Sequence, residues 1–427
     1  MTKRFSLGGL LLFAAGALHA QITLEQCVQN ARDNYPLIKK YELLDRAQEI
    51  SLSDINKGWL PQIGVYGQGS VQNAVPSFPD ALSDMMAQMG TDMSGLGKLQ
   101  YRVGAELNQM IWDGGASKSQ REIVRADNVE RQAQLNVQLY AIRERVENLF
   151  FGILLIDEQI KQTQNTQSLL QSNLDRLRSM QANGTAMQSD VDMLEAQYLS
   201  VSQQLIQAQS NSQSYRRMLG IFTGMEITRQ ELIKPTPDTP ENMAVNRPEM
   251  ALFDAQTLAN GARLSTIKSG LMPKIGLFAQ AYYGYPGFDN FKSMMNRDLS
   301  LNVLVGVKVS WNIGAFYTKK NREGQLQIAS DGIAADRDVF LFNTSLQTQS
   351  QTDRISEIED FMKEDARIVE LRANVRRAAE SQLENGVIDA TALLSKITDE
   401  NQARLSASYH EIQLLQTIYQ LKYTLNR

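Results

Sequence analysis

Hydrophobic residues recur at alternate positions in four segments of the chain, which predicts β-strands at 60–72, 100–112, 273–285 and 299–311. The alternation is clearest in the last segment, where one face carries Leu299, Leu301, Val303, Val305, Val307, Val309 and Trp311. Each segment is longer than a usual strand and has one apolar and one polar face. Such strands are typical of a membrane-crossing β-barrel, although a soluble sheet with one wet face alternates in the same way.

Most of the remaining chain has apolar residues at a spacing of three and four, which indicates helices. We predict two very long helices at 116–182 and 317–383, followed by return helices at 189–221 and 390–425. A shorter helix precedes each strand pair, and the first runs from about Thr23 to Lys57. A continuous helix over 116–182 would be about 100 Å long, which favours coiled-coil-like packing over a compact globule.

The two halves of the chain repeat one another. The segment Gly58–Gly64 aligns with Gly270–Gly276, and the match extends over about thirty residues without a gap. Asn183-Gly184 and Asn385-Gly386 end the two long helices with residues that suit a tight reversal. The predicted organisation is a signal peptide at 1–20, a first repeat at 21–233, a linker at 234–245 and a second repeat at 246–427.

The composition narrows the possible functions. Acidic residues outnumber basic ones by 47 to 43, and no block of Lys and Arg appears, which argues against nucleic-acid binding. One cysteine and two histidines are too few for a disulfide framework or a zinc cluster. An enzyme with paired carboxylates is an alternative class, but no pocket-forming pattern surrounds any pair of acids. We therefore predict no catalytic site, no cofactor and no metal site.

The first twenty residues have the features of a secretory signal peptide. Lys3 and Arg4 precede an apolar stretch from Leu7 to Leu18, and small residues favour cleavage after Ala20. A short N-terminal anchor is the alternative. No other stretch approaches the roughly twenty apolar residues that a transmembrane helix needs, so we expect an exported protein without one.

Aromatic residues lie near the ends of the predicted strands, where a membrane protein meets the lipid–water interface. The candidate interface residues are Trp59, Tyr101, Trp112, Tyr283, Tyr285 and Trp311.

Taken in order, these features resemble the TolC-like outer-membrane efflux protein family over essentially the whole chain after the signal peptide. Five short segments carry the resemblance, each weak alone. They are Ile22-Thr23-Leu24-Glu25-Gln26-Cys27, Pro61-Gln62-Ile63, Asn183-Gly184 through Ser189-Asp190-Val191, Asn246-Arg247-Pro248-Glu249-Met250 and Pro273-Lys274-Ile275.

The resemblance implies an α+β membrane protein that is a homotrimer. Four strands per chain would build one twelve-stranded outer-membrane β-barrel, continued by a long α-helical coiled-coil tunnel in the periplasm. The barrel would lie in outer-membrane lipid. A periplasmic adaptor (membrane fusion) protein and an inner-membrane RND or ABC transporter would dock at the helix tips. Four strands cannot close a barrel with a lumen, and lipid does not tolerate open edges, so the residues themselves also favour pooling of strands between chains.

The resemblance also assigns the gate and docking surface to the turns that end the long helices. In the family pattern, acidic residues at the second tip constrict the tunnel, but this chain has Ala392 and Ser395 at the matching positions. Asp389 is near but out of register, and only the first tip keeps its acid, Asp190. Asp190 is expected either to set cation preference or only to stabilise a helix N-terminus. The full candidate set is Asn183, Gly184, Ser189, Asp190, Asn385, Gly386, Asp389, Ala392 and Ser395.

The expected function is a passive exit duct of a tripartite efflux or type I secretion system. The alternative is a periplasmic coiled-coil scaffold that forms no channel. The loops at 73–99 and 284–298 would face the outside of the cell. Methionines in the first loop favour apolar loop packing, with a copper-type metal site as the alternative. The sequence does not name the cargo.

Overall fold

A computed structural model describes residues 21–90, 95–228 and 230–427. The predicted signal peptide lies outside the described residues, as does Met93 of the methionine-containing loop. In chain order the elements are α1 (Leu24–Asn34), α2 (Lys40–Lys57), β1 (Gln62–Val71), α3 (Asp80–Gln88), β2 (Leu99–Trp112), α4 (Ala116–Ala182), α5 (Gln188–Thr223), α6 (Pro248–Gly270), β3 (Lys274–Tyr285), α7 (Asn290–Met295), β4 (Ser300–Ser310), α8 (Ala315–Glu384) and α9 (Ala390–Leu425).

The expectation of one continuous helix from Thr23 to Lys57 is wrong. Helix α1 ends at Asn34, and a 3₁₀ turn at Pro36–Lys39 separates it from α2. Tyr35 takes an extended conformation (φ −68°, ψ 128°) because the ring of the following proline disfavours helical geometry at this position.

The described chain forms two compact units, and each draws segments from both sequence halves. We call the first the helical unit; it comprises residues 21–40, 134–250 and 338–427. The second is the sheet unit, which comprises Tyr41–Ala133 and Ala251–Arg337 apart from the residues outside the described part.

The sheet unit contains one antiparallel sheet with the strand order β1-β2-β3-β4. Strands β1 and β2 form the hairpin of the first half, and β3 and β4 form that of the second. The two hairpins join through β2 and β3, where Arg102 lies opposite Gly284, and a bulge interrupts this pairing between Met110 and Trp112. Strands β1 and β4 are the edges, and each pairs with one strand among the described residues.

The helical unit has an apolar core along α4, in which Phe150 and Ile153 are completely buried. Helix α1 packs on α5, and its Thr23 and Gln26 form a capping box at the helix start. A separate apolar cluster lies where the long helices reverse. None of the helices in the described part of the chain is both long and apolar enough to cross a membrane.

Two short helices, α3 and α7, lie in the loops that join the strands of each hairpin. The ring centroids of Phe78 and Phe291 lie 6.0 Å apart, so the two loops pack together within the sheet unit. Met85 and Met89 of the first loop are exposed. Among the described residues, no three His, Cys, Asp or Glu side chains come together as a metal site of those ligands requires.

Candidate functional site

The sheet has one continuous apolar face, because the strand register aligns apolar positions across all four strands. In one row, Ile63 lies opposite Leu107, Leu107 opposite Ala279, and Ala279 opposite Val305. The exposed fractions are 72% for Ile63 and 68% for Val305, so this face is uncovered in the single chain. Large apolar side chains are stable in such numbers only against lipid or another protein surface.

The opposite face of the sheet is mostly polar. It carries Gln62, Tyr66, Gln68 and Ser70 from β1, Arg102, Glu106 and Asn108 from β2, Lys274, Gln280 and Tyr282 from β3, and Ser300, Asn302 and Lys308 from β4. An apolar face backed by a polar face is the arrangement of a membrane strand with lipid on one side and water on the other.

The six candidate interface aromatics separate by residue type within the sheet unit. The tryptophans Trp59, Trp112 and Trp311 lie at the end of the sheet near α2, and the tyrosines Tyr101, Tyr283 and Tyr285 lie at the loop end. The eleven residue steps from Tyr101 to Trp112 span about 37 Å along the strand, or just under 30 Å across a bilayer at the usual tilt. Tyr285 differs from the others because it is buried, and its hydroxyl accepts a hydrogen bond from the Gly97 N–H at 2.6 Å.

The two helix tips have the same turn geometry. Gly184 and Gly386 adopt left-handed backbone conformations with φ of 73° and 67°, which an L side chain rarely takes. In the first turn the Thr185 N–H donates to Met180 O and the Gly184 N–H donates to Gln181 O. In the second turn the Val387 N–H donates to Gln382 O and the Gly386 N–H donates to Leu383 O, so both turns are Schellman motifs. Asn183 and Asn385 each donate a side-chain bond to the carbonyl four residues earlier.

The acids at the two tips sit at different positions of the following helix. At the second tip, Asp389 is the N-cap of α9 and accepts a bond from the Ala392 N–H at 2.8 Å. At the first tip the N-cap position is Met187, and Asp190 in the first turn accepts a bond from the Met187 N–H at 3.2 Å. Both carboxylates therefore stabilise helix starts. Ser189 and Ser395 are exposed.

The two helix hairpins pack against each other at their tips. Leu174, Leu177 and Leu194 of the first hairpin share a buried cluster with Leu393 and Ile397 of the second. This contact brings the two candidate tip segments together inside the helical unit.

Polar contacts also join the hairpins at this cluster. Arg176 of α4 forms an ion pair with Glu384 of α8 at 2.5 Å, and Asn173 donates to Glu380 at 3.3 Å. Side chains about two hundred residues apart in sequence make these contacts, and local sequence patterns carry no signal for them.

Glu400 is a buried acid of the second hairpin, with an exposed fraction of 5%. Burial acts to raise its pKa, but hydrogen bonds and charge from Arg376 and Arg404 outweigh burial and hold the pKa below its usual value. Glu400 is therefore an ionised link between α8 and α9 near neutral pH.

Comparison with known proteins identifies the fold. Residues 27–221 match the family model described as outer membrane efflux protein. The structure is similar to that of CusC, with 12% identity and a TM-score of 0.67, covering 95% of this chain and 92% of CusC. It is also similar to the CmeC outer-membrane channel of Campylobacter jejuni, with 11% identity and a TM-score of 0.65, covering 94% of this chain and 85% of CmeC. No curated protein matches the sequence.

The open-state MtrE outer-membrane channel of Neisseria gonorrhoeae is a third neighbour, with 12% identity, a TM-score of 0.65, and coverage of 94% of this chain and 88% of MtrE. At these identities the likeness establishes the fold alone, and the family model adds a match over the first repeat. The predicted fold class is confirmed as helices combined with four antiparallel strands. The predicted resemblance is confirmed to this extent: residues 27–221 carry an outer membrane efflux protein domain, and solved structures similar to the chain as a whole include outer-membrane channels.

Proposed function

We propose that three copies of this chain form one outer-membrane channel. The observation that carries the proposal is the two-faced sheet with open edges. Strands β1 and β4 each leave one row of backbone N–H and C=O groups without a strand partner among the described residues. Lipid offers no hydrogen bonds to such groups, so a membrane sheet must close on itself. Three four-stranded sheets joined edge to edge give twelve strands and a water-filled lumen.

In this arrangement the apolar face meets lipid and the polar face lines the lumen. The tryptophan and tyrosine sets at the two ends of the sheet would lie at the two membrane interfaces. The helices would form the tunnel that carries cargo through the periplasm. The chain would supply the path, and a transporter in the inner membrane would supply the energy.

We further propose that the helix tips are the gate and the docking surface for a periplasmic adaptor and an inner-membrane RND or ABC transporter. The packed cluster around Leu177 and Leu393 and the Arg176–Glu384 ion pair link the two hairpins of one chain. Opening would require these hairpins to move relative to their neighbours in the trimer. The second tip lacks the acids of the family pattern, so we assign no carboxylate ring there.

Asp190 remains the candidate for cation preference at the first tip. Its carboxylate already caps a helix, which supports the structural role, but the same carboxylate repeated in three chains would also act on passing ions. Conductance of Asp190→Asn channels separates these roles. A loss of cation preference supports the ring, and unchanged selectivity leaves Asp190 as a capping residue.

The proposal is tested by reconstituting the purified protein in planar lipid bilayers. A trimer in detergent with stepwise channel currents is the expected result. A monomer that needs no detergent and passes no current would favour the alternative of a periplasmic coiled-coil scaffold.

A further inference from the structure

Arg102 lies on the polar face of β2, close to the loop end of the sheet. Its guanidinium donates two hydrogen bonds to the amide oxygen of Gln68, from Nε at 3.0 Å and from Nη2 at 2.7 Å. No carboxylate among the described residues forms an ion pair with Arg102. Glu106, the next acid on this face, is four residues further along the strand, or about 14 Å away. The positive charge of Arg102 is therefore not neutralised within the described chain.

Two tyrosine rings hold this cation in place. The Arg102 Cζ lies 5.5 Å from the ring centroid of Tyr282 and 6.0 Å from that of Tyr66. Aromatic faces attract a cation without cancelling its charge. The Tyr282 hydroxyl donates to the Pro286 carbonyl at 3.1 Å, and its ring meets Phe288 edge to face at 5.3 Å. Neutral groups thus fix the position of the guanidinium.

Two glycines leave the space that this arrangement needs. Gly284 lies opposite Arg102, and a Cβ at Gly284 would come within 2.6 Å of the Arg102 side chain. Gly104 lies opposite Tyr282, and a Cβ there would come within 2.7 Å of the Tyr282 Cβ. Larger residues at either position would displace the cation or the ring beneath it.

A cavity of about 340 Å³ opens beside the guanidinium. Its walls include Gln68, Ser70, Gln100, Arg102, Tyr282 and Phe288. The volume is at the lower end of the range for small-molecule sites. It combines one unpaired cation with amide and hydroxyl groups and aromatic surface, which suits a small flat molecule with an anionic group.

We propose that Arg102 and this cavity form a binding site for organic anions, namely carboxylates or sulfonates on a flat ring. Gln68 uses only some of the five guanidinium N–H donors, so the others remain for the anion, and aromatic rings contact its flat part. The inference rests on the proposed function, because the polar face lines the lumen only in a closed barrel. Each trimer then carries three such sites at the outer end of the channel, where they act on anionic cargo as it leaves.

Sodium benzoate is the probe for the test. We expect benzoate to reduce the current of wild-type channels in bilayers. Arg102→Gln should raise the concentration for half-maximal block at least tenfold. Lys308→Gln is the matched control. Lys308 is exposed on the same polar face, and its substitution removes the same charge, but Lys308 is not the cation that lies against Tyr66 and Tyr282. It should change that concentration less than twofold.

Benzoate binding to the purified trimer or chain in detergent, followed by saturation-transfer NMR, gives a readout that does not depend on channel activity. A second variant, Arg102→Lys, keeps the positive charge but loses the paired N–H donors of the guanidinium, so it should bind benzoate with intermediate affinity. It provides an independent test if Arg102→Gln fails to fold. The site would be overturned if wild-type channels conduct but benzoate does not reduce their current. It would also be overturned if Arg102→Gln and Lys308→Gln change the concentration for half-maximal block equally. If wild type binds benzoate by NMR but carries no current, the proposed function fails while the site stands. Absence of both current and binding overturns both.

Discussion

Helices α4 and α8 have nearly the same length and the same apolar spacing, but they bury their apolar residues differently within the helical unit. Residues of α4 such as Leu139, Val146 and Phe150 are buried by other parts of the same chain. The corresponding stretch of α8 leaves Phe342 exposed at 64% and Leu346 at 56%. The full exposed set on this stretch of α8 is Val339, Phe342, Leu346, Phe361, Ile368, Leu371 and Val375.

The exposed residues of α8 recur at the helical spacing of three and four, so much of this set lies on one side of the helix. None of the described elements of a single chain covers these side chains. An apolar stripe on a helix therefore predicts that these side chains are buried, without indicating which chain covers them. For α4 the cover is the chain itself, and for α8 we propose a second copy.

The largest expected effect is loss of the trimer in Leu346→Glu. A carboxylate buried three times in the assembly costs several kcal/mol per ion and has no partner charge there. Size-exclusion chromatography with light scattering in detergent should show monomers. The control is Gln347→Glu, which adds the same charge at the adjacent exposed position and should leave the trimer intact. A stable Leu346→Glu trimer would mean that this side of α8 is not an interface.

Phe150→Ala tests whether the apolar residues of α4 are buried within the chain itself. Phe150 is completely buried, so its truncation should lower the free energy of unfolding of the chain by about 3–5 kcal/mol. Denaturant unfolding in detergent gives this value. Arg145→Ala, at an exposed position of the same helix, should stay within about 0.5 kcal/mol of wild type. Similar losses in the two variants would show that α4 is not the core helix.

Helix α4 also buries a carboxyl group, which makes the stability of the helical unit depend on pH. Burial raises the pKa of Glu147 to about 7, although Arg143 pairs with it at 2.7 Å. In the unfolded chain the group ionises near pH 4.5, so between pH 5 and 8 the folded state holds the proton more tightly. Stability contributed by this group is therefore present at low pH and is lost as the pH rises through about 7.

Glu147→Gln should remove this dependence. Relative to wild type, the variant should gain stability between pH 5 and pH 8, with an upper limit of about 3 kcal/mol. Thermal unfolding at the two pH values measures the gain. Glu241→Gln, at an exposed position of the linker, serves as the control, because Glu241 does not act on Glu147. A gain that is the same at both pH values would rule out titration of Glu147 as its cause.

The smallest effect is expected where α4 meets α8 at the tips. Arg176 and Glu384 are about half exposed, so their coupling energy should be under about 1 kcal/mol and should shrink at high salt. A double-mutant cycle with Arg176→Gln and Glu384→Gln measures it. Coupling well above this value would mean that the pair is desolvated in the trimer.

The alternation of apolar and polar residues is sufficient to predict the four strands. Side chains of a strand point to its two faces in turn, so a strand with one face in water shows a two-residue repeat in its own sequence. The bulge between Met110 and Trp112 was not predicted, since register irregularities depend on the partner strand. The first helix was predicted as one piece because the spacing of its apolar residues continues past Pro36. Pro36 itself was the missed signal for the interruption.

The Asn-Gly pairs marked the turns at the tips, because few other residues accept their backbone conformation. The contacts around those turns were not predictable. The Arg176–Glu384 pair and the isolation of Arg102 depend on which strands and helices become neighbours. The interhelical ion pairs therefore appear only in the three-dimensional structure, whereas the turn geometry is local and readable in the sequence.

The central claim, that three sheets close edge to edge, is most directly tested by disulfide cross-linking of β1 to β4. Ser70→Cys on β1 is combined in turn with a cysteine at each polar-face position of β4, since the register between copies is set by barrel closure. The native Cys27 does not interfere, because burial raises the pKa of its thiol to about 12. We predict that one pairing, or two adjacent ones, gives a covalent species of three chains and none larger. Absence of any cross-link, or a ladder that continues beyond three chains, would contradict the closed trimeric barrel.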